Sequence, residues 1–223
     1  MGQMQNIEMA DGFELEAYIA TPASDQAKGA IVVIQEIFGV NGHIREVADG
    51  YAAEGYVAIA PALFDRVERD IQLGYAENDM GRGIELAFQK LDMAQTLKDL
   101  QSVVAFAGKK GSVGVVGYCF GGLLTFLSAC QISGVKAASS YYGGGIAGML
   151  GQQPQCPTIM HFGELDAHIP MSDVEKIKLG CPDVPVHVYN ADHGFNCDHR
   201  ASYNEPAATL ARQRTLEHFA EHL

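Results

Sequence analysis

The sequence predicts an α/β fold, in which helices cover both faces of a mostly parallel sheet. Short, nearly continuous apolar segments recur along the chain, and segments with a helical spacing of apolar residues fall between them. Strands that are buried on both faces of a parallel sheet have this continuous apolar character. No internal repeat, low-complexity tract or flexible linker interrupts the pattern. We therefore expect a single domain over residues 1–223.

The first predicted element is an N-terminal β-hairpin. Residues 5–9 and 13–20 alternate apolar and polar side chains on either side of Ala10-Asp11-Gly12. An Asp-Gly pair supports the positive φ angles of a tight hairpin turn, so the two segments are expected to pair antiparallel. The hairpin is expected at an edge of the sheet.

The remaining strands and helices follow from the apolar pattern. The predicted strands are residues 30–34, 56–60, 113–116, 137–142, 158–162 and 186–189. The predicted helices, from apolar residues at three- and four-residue steps, are residues 44–54, 91–107, 121–132 and 205–222. Sites in open sheets of this kind lie beyond the carboxyl ends of the strands. The residues of a catalytic or binding site are therefore expected directly after the apolar segments.

Composition excludes several classes of protein. The 223 residues are 48% hydrophobic and carry 27 acidic against 15 basic side chains, a formal net charge of -12. A negative field repels nucleic acid and anionic lipid, and the longest basic run is Lys109-Lys110, so we expect neither a nucleic acid nor a membrane as partner. The five cysteines are widely spaced and odd in number, and the first residues lack a signal-peptide pattern. We expect a reduced, cytoplasmic protein.

A Gly-x-Cys-x-Gly sequence follows the strand predicted at residues 113–116. It runs from Gly117 to Gly121 with Cys119 at its centre. A sharp turn from strand to helix strains the central residue and exposes its side chain, while the glycines let the strand and helix backbones approach each other. The turn also aims the next backbone N–H, that of Phe120, at the reacting centre. The pattern favours a nucleophile, with a buried core cysteine beside a tight turn as the alternative.

Two further strand ends supply the partners of a catalytic triad. Asp166 follows the strand predicted at residues 158–162, and His193 follows the strand at residues 186–189. Taken alone, Asp166 would be a loop carboxylate that caps a helix, and His193 an ordinary turn residue. Nucleophile, acid and then histidine, each after a sheet strand, is the order along the chain in α/β-hydrolases. The sequence therefore predicts a triad with Cys119.

These segments resemble the dienelactone hydrolase (carboxymethylenebutenolidase) family of the α/β-hydrolase superfamily. The similarity extends over essentially the whole chain and is carried by QEIFGVN at 35–41, GYCFGG at 117–122, GELD at 163–166 and HGF at 193–195. The resemblance implies the α/β-hydrolase fold, an ester or lactone hydrolase and Cys119 as its nucleophile. It also implies that Glu36 contacts the resting thiol, which a nearby carboxylate would keep protonated by like-charge repulsion. Without the resemblance, Glu36 would be a loop carboxylate.

The chemistry of the remaining residues follows from their types. A neutral His193 takes the thiol proton as Cys119 attacks an acyl carbon, and Asp166 fixes the tautomer of the ring. The backbone N–H groups of Ile37 and Phe120 are the expected oxyanion hole. A thiolate leaves more readily than an alkoxide, so a tetrahedral intermediate from a simple alkyl ester would mostly revert. Activated esters, thioesters and unsaturated lactones are therefore the expected substrates.

Residues 65–90 are expected to contribute a lid over the site. In the family that this sequence resembles, two arginines bind a carboxylate of the substrate. Arg82 lies one position out of register with the first, and Cys197 stands in the place of the second, three residues before Arg200. We assign Arg82 and Arg200 to substrate binding, which makes an anionic ester or lactone one option. Either arginine alone would be a solvated surface residue.

Two classes of function remain open from the sequence. The first is a cysteine-dependent hydrolase of activated esters or lactones, and the second is a non-catalytic member of the same fold that binds a small molecule or a partner. The presence of all three triad residues favours the hydrolase. His193, Cys197 and His199 have side chains that suit a metal, but they lack a second cluster, so we expect no metal and no cofactor. The expected oligomeric state is a monomer or a homodimer.

Overall fold

A single mixed β-sheet forms the centre of the molecule and confirms the predicted α/β fold. The structure, a computed structural model, describes residues 2–24 and 26–223. The strands are β1 (Gln3–Glu8), β2 (Glu14–Ala20), β3 (Ala30–Ile34), β4 (Val57–Pro61), β5 (Val113–Tyr118), β6 (Val135–Tyr141), β7 (Thr158–Gly163) and β8 (Val186–Tyr189). They form an eight-stranded sheet in the order β1-β2-β4-β3-β5-β6-β7-β8.

The predicted hairpin lies at one edge of this sheet. β1 pairs antiparallel with β2, in a register that runs from Gln3 opposite Ile19 to Glu8 opposite Glu14. β2 then pairs antiparallel with β4, and the strands from β3 to β8 are all parallel. The carboxyl ends of the parallel strands therefore meet at one edge, where the predicted site residues follow β3, β5, β7 and β8.

Helices cover both faces of the sheet. They are α1 (Gly42–Ala53), α2 (Glu77–Glu85), α3 (Met93–Gly108), α4 (Phe120–Gln131), α5 (Met171–Gly180) and α6 (Glu205–His222). Side chains alternate between the two faces of a strand, and β3 shows this directly. Ile31 and Val33 belong to the core cluster that includes α1 and α6, whereas Ala30 and Val32 belong to the cluster that includes α3. Both faces of the sheet are thus buried.

The apolar spacing does not predict α2, which lies within the segment expected as a lid. Its interior contains Gly81 and Gly83, and glycine disfavours the interior of a helix. A Cβ atom at Gly83 would collide with the carbonyl of Ile37, so the glycine lets α2 pack closely on the loop after β3. A π-helical turn, Leu86–Lys90, continues α2, and such turns are rare and frequently lie at functional sites.

Within the described ranges, no helix combines the length and the apolar character that a membrane crossing requires.

Candidate active site

The turn between β5 and α4 holds Cys119 in a strained backbone conformation. Its φ and ψ angles are 56° and -115°, a region that residues other than glycine rarely adopt. The Cys119 N–H donates to the carbonyl of Tyr141 at 3.0 Å, and the Cys119 carbonyl accepts from the N–H of Gly122 at 2.9 Å. A Cβ atom at Gly117 would collide with the carbonyl of Gly121. The glycines therefore allow the tight turn that presents the thiol at the carboxyl edge of the sheet.

Asp166 and His193 meet at the same edge, after β7 and β8. The Nδ1 atom of His193 lies 2.6 Å from Oδ2 of Asp166. The other carboxylate oxygen accepts hydrogen bonds from the backbone N–H groups of His168 at 2.7 Å and Ile169 at 3.1 Å. Because its oxygens are held in this way, Asp166 keeps the proton on Nδ1 of His193. The Nε2 atom of the ring is then available to Cys119.

The environment of His193 favours a protonated ring. Burial lowers its pKa, but the contacts with the side chains of Asp166 and Cys119 outweigh burial and raise the pKa to about 10. The direction of this shift favours transfer of the thiol proton from Cys119 to the ring. A positive ring beside Cys119 stabilises negative charge on the sulfur.

Two backbone N–H groups are free near the nucleophile turn. Phe120 begins α4 directly after Cys119, and Ile37 lies in the buried loop after β3. In the part of the chain that the structure describes, neither N–H donates a hydrogen bond to a backbone carbonyl. The Phe120 N–H follows Cys119 at the positive end of a helix, where a free donor is suited to stabilise an anionic oxygen, and the Ile37 N–H stays the predicted second donor.

A cavity of about 370 Å³ opens beside Cys119 and His193. This volume is in the range of small-molecule sites. Most of the other lining residues are apolar, and the full set comprises Phe38, Met80, Ile84, Phe88, Phe120, Leu123, Gly144, Gly145, His168, Ile169 and Arg200. Met80 and Ile84 lie in α2, and Phe88, which is 61% exposed, lies in the π turn. Part of the segment 65–90 thus forms one wall of the cavity.

The structure separates the two arginines that were assigned to substrate binding. Arg200 lines the cavity, and its guanidinium lies 3.4 Å from Oε1 of Glu36. Arg82 is not among the lining residues, because it forms salt bridges with Glu85 at 2.6 Å and with Glu68. Arg200 therefore lines the same cavity as Cys119 and His193, and Arg82 does not.

Glu36 lies in a buried polar cluster with Arg200. It is 1% exposed, and its second oxygen, Oε2, has no hydrogen-bond partner among the described residues. Among those residues no hydrogen bond joins Glu36 to Cys119. The carboxylate pairs with Arg200, and the contact with the thiol that the family resemblance implies stays a prediction.

The sequence does not single out Tyr142, which the structure brings to the site. Its φ angle of 37° is positive, and its side chain is fully buried. The ring centroid lies 5.1 Å from that of His193, so the tyrosine helps to hold the imidazole in place. Its position directly after β6, at the carboxyl edge of the sheet, is the signal that could have identified it.

The chain is similar to known proteins in sequence and in fold. The model of the dienelactone hydrolase family matches residues 15–223. The chain is 33% identical to a carboxymethylenebutenolidase of Pseudomonas putida, over 96% of this chain and 94% of that protein. It is 38% identical to a candidate carboxymethylenebutenolidase of Synechocystis sp., over 98% of this chain and 94% of that protein. The crystal structure of a candidate dienelactone hydrolase from Klebsiella pneumoniae is similar with a TM-score of 0.88 and 31% identity, over 100% of this chain and 99% of that chain.

Proposed function

Because the chain belongs to the dienelactone hydrolase family, has the α/β-hydrolase fold and is a hydrolase of the ester or lactone type, we propose that it works through an acyl group carried by Cys119. One observation carries this proposal. The strained turn places Cys119 beside a histidine whose other nitrogen is held by a buried aspartate, at the side of a cavity. The arrangement supports nucleophilic catalysis.

The first half of the reaction transfers the acyl group to sulfur. The sulfur of Cys119 attacks the carbonyl carbon, while His193 holds the proton that the thiol gives up. The N–H groups of Ile37 and Phe120 donate hydrogen bonds to the oxygen that becomes negative. As the tetrahedral intermediate collapses, the bond to the leaving oxygen or sulfur breaks, and His193 returns the proton to the departing group.

The second half of the reaction regenerates the thiol. His193, now neutral, takes a proton from water as the water oxygen attacks the acyl carbon. The carbon–sulfur bond then breaks, the proton returns to Cys119, and the carboxylic acid leaves. Asp166 holds the ring in the same tautomer during both halves, so that Nε2 faces the reacting atoms each time.

The cavity lining favours a neutral, apolar acyl group. Within the described ranges, Arg200 is the one lysine or arginine that lines the cavity, and Glu36 already faces it. Arg82 is engaged by Glu68 and Glu85 away from the lining. The remaining walls are largely aromatic and aliphatic. The proposed substrate is therefore an aryl ester, enol ester, thioester or unsaturated lactone with an uncharged acyl portion, which the wall formed by α2 and its π turn covers as a lid.

We expect the purified protein to show this preference in a panel of matched esters. A 4-nitrophenyl ester of pentanoic acid should be hydrolysed at least about tenfold faster, as kcat/KM, than the ethyl ester, because the better leaving group departs before sulfur does. Its kcat/KM should also exceed that of the 4-nitrophenyl ester of succinic acid, because the free carboxylate of succinate must enter the apolar cavity. Release of 4-nitrophenolate and of acid is measured by absorbance and by titration.

The panel separates the parts of the proposal. No hydrolysis of any activated ester would contradict the enzymatic function, and faster hydrolysis of the ethyl ester would contradict the role of the thiol. Preference for the succinate ester would contradict the neutral acyl group. Arg200→Met is the matched variant: it should leave the pentanoate reaction nearly unchanged, and a selective loss of the succinate reaction would assign Arg200 to carboxylate binding.

A further inference from the structure

A second cluster of reactive side chains lies next to Arg200. Glu36 comes from the loop after β3, His43 from α1 and Cys197 from the loop after β8. These three residues are 1%, 2% and 0% exposed, respectively. One candidate ligand atom of each lies within 4.8 Å of those of the other two. A carboxylate, an imidazole and a thiol therefore converge in a space that is shielded from solvent.

Two atoms in this cluster have no hydrogen-bond partner. They are Oε2 of Glu36 and Nε2 of His43, within residues 2–24 and 26–223. Nδ1 of His43 lies 3.3 Å from Oδ1 of Asp198, which places the ring proton on Nδ1 and a lone pair on Nε2. A carboxylate oxygen and an imidazole lone pair are thus both buried without a partner among the described residues, in a cluster where the Cys197 thiol donates to the hydroxyl of Tyr75 at 3.2 Å. Such a pair is unfavourable unless a cation or a proton lies between the two atoms.

The donor set and its surroundings suit Zn²⁺. Zinc binds oxygen, nitrogen and sulfur at about 2.0–2.3 Å, so tetrahedral ligand atoms lie about 3.4–3.6 Å apart. The 4.8 Å limit of the cluster allows these separations after inward movement of about 1 Å. Asp198 on the far nitrogen of His43 is the outer carboxylate that usually orients a zinc-bound histidine.

Charge and access also fit a divalent cation. Glu36 and a deprotonated Cys197 would supply two negative charges for the two positive charges of the ion, and Asp198 would offset Arg200. His43 also lines a surface groove together with Glu46 and Asp198, so one residue of the cluster borders the surface.

We propose that Glu36, His43 and Cys197 bind a thiophilic divalent cation, with Zn²⁺ as the expected ion. On binding, Cys197 releases its thiol proton to solvent and forms a sulfur–metal bond, while Oε2 of Glu36 and Nε2 of His43 complete a three-residue set with a fourth position for water. The ion joins the loop after β3, α1 and the loop that follows His193. Cys119 is not a ligand in this site. The metal site can therefore be confirmed or contradicted independently of the proposed hydrolase mechanism.

Cobalt substitution tests this site. Chelator-treated protein is titrated with Co²⁺, and the thiolate-to-cobalt charge-transfer absorption in the near ultraviolet is recorded. The band should saturate at one equivalent and disappear when Zn²⁺ is added. Cys197→Ser and His43→Gln should each abolish it, while Cys181→Ser, a matched change of another buried free cysteine, should retain it. Cys119→Ala should retain the band as well, since it leaves the three ligands in place.

Several outcomes would overturn the site. The wild-type protein could show no band, or Cys197→Ser could show the same band, with folding of the variants checked by circular dichroism. Visible d–d absorption of Co²⁺ that lacks the thiolate band, survives Cys197→Ser and is lost in His199→Gln would place the metal at the more exposed group of His43, Asp198 and His199 instead. If Cys197→Ser does not fold, loss of the band in a folded Glu36→Gln supports the site, and its retention there contradicts it.

Discussion

Cys119→Ala is expected to lower kcat/KM for a 4-nitrophenyl ester by at least about 10⁴-fold. The substitution removes the attacking atom, and no other thiol lines the cavity in the described part of the chain. Residual hydrolysis would come from the oxyanion donors and binding alone. Because only one sulfur atom is removed from a partly exposed side chain, the melting temperature should stay close to that of the wild type.

A matched change separates this effect from a general loss of cysteine. Cys181→Ala removes another free thiol, which is buried near α5 and away from the cavity, and should retain wild-type activity. Retention of more than a few per cent of activity in Cys119→Ala would contradict the role of this residue, provided that circular dichroism shows both variants to be folded.

Asp166→Asn is expected to lower kcat/KM by about 10³–10⁴-fold and to change the pH dependence of kcat/KM. The amide group of asparagine can donate to Nδ1 of His193, which selects the tautomer with its proton on Nε2. The contact with Asp166 is one of those that raise the pKa of His193 to about 10, so removal of the carboxylate lowers that pKa. The imidazolium then loses its proton at a lower pH.

The pH profile of kcat/KM measures this shift. In the wild type, the alkaline decline in activity should lie near the raised pKa of His193, about 10, and in Asp166→Asn it should move to lower pH. Asp192→Asn is the control, because Asp192 accepts a hydrogen bond from the backbone N–H of His193 at 2.6 Å. That variant should keep the wild-type profile. An alkaline limb at the same or higher pH in Asp166→Asn would contradict the assignment of Asp166.

Much of the fold could be predicted because apolar pattern and burial are directly linked. β3 is buried at every position, so its sequence is apolar throughout, and α3 presents one apolar face at helical spacing. α2 could not be predicted in this way. Its two glycines weaken the helical pattern, and the π turn changes the spacing of the residues that follow. Close packing on the loop after β3 stabilises this segment, and that contact is tertiary.

The site also contains residues that the local sequence predicts and residues that only tertiary contacts bring together. Cys119, Asp166 and His193 each follow a strand, so the topology of a parallel sheet predicts that they lie at one edge. The partners of Arg82 depend on α2, which places Glu85 at i+3, and on a fold that brings Glu68 alongside. His43 and Asp198 are 155 residues apart, and no local pattern connects them. Residues whose partners depend on the tertiary fold can be assigned only from the structure.

An acyl group on Cys119 is the step on which the proposed mechanism depends, and it can be observed directly. The protein is mixed with a 4-nitrophenyl ester, quenched with acid during turnover, digested and analysed by mass spectrometry. Because 4-nitrophenolate leaves readily, hydrolysis of the acyl-cysteine should limit the rate, and the intermediate should accumulate. The mechanism predicts that the peptide containing Cys119 gains the mass of the acyl group, and that Cys119→Ala shows no adduct. Continued hydrolysis with Cys119 unmodified, or with the acyl group on another residue, would contradict it.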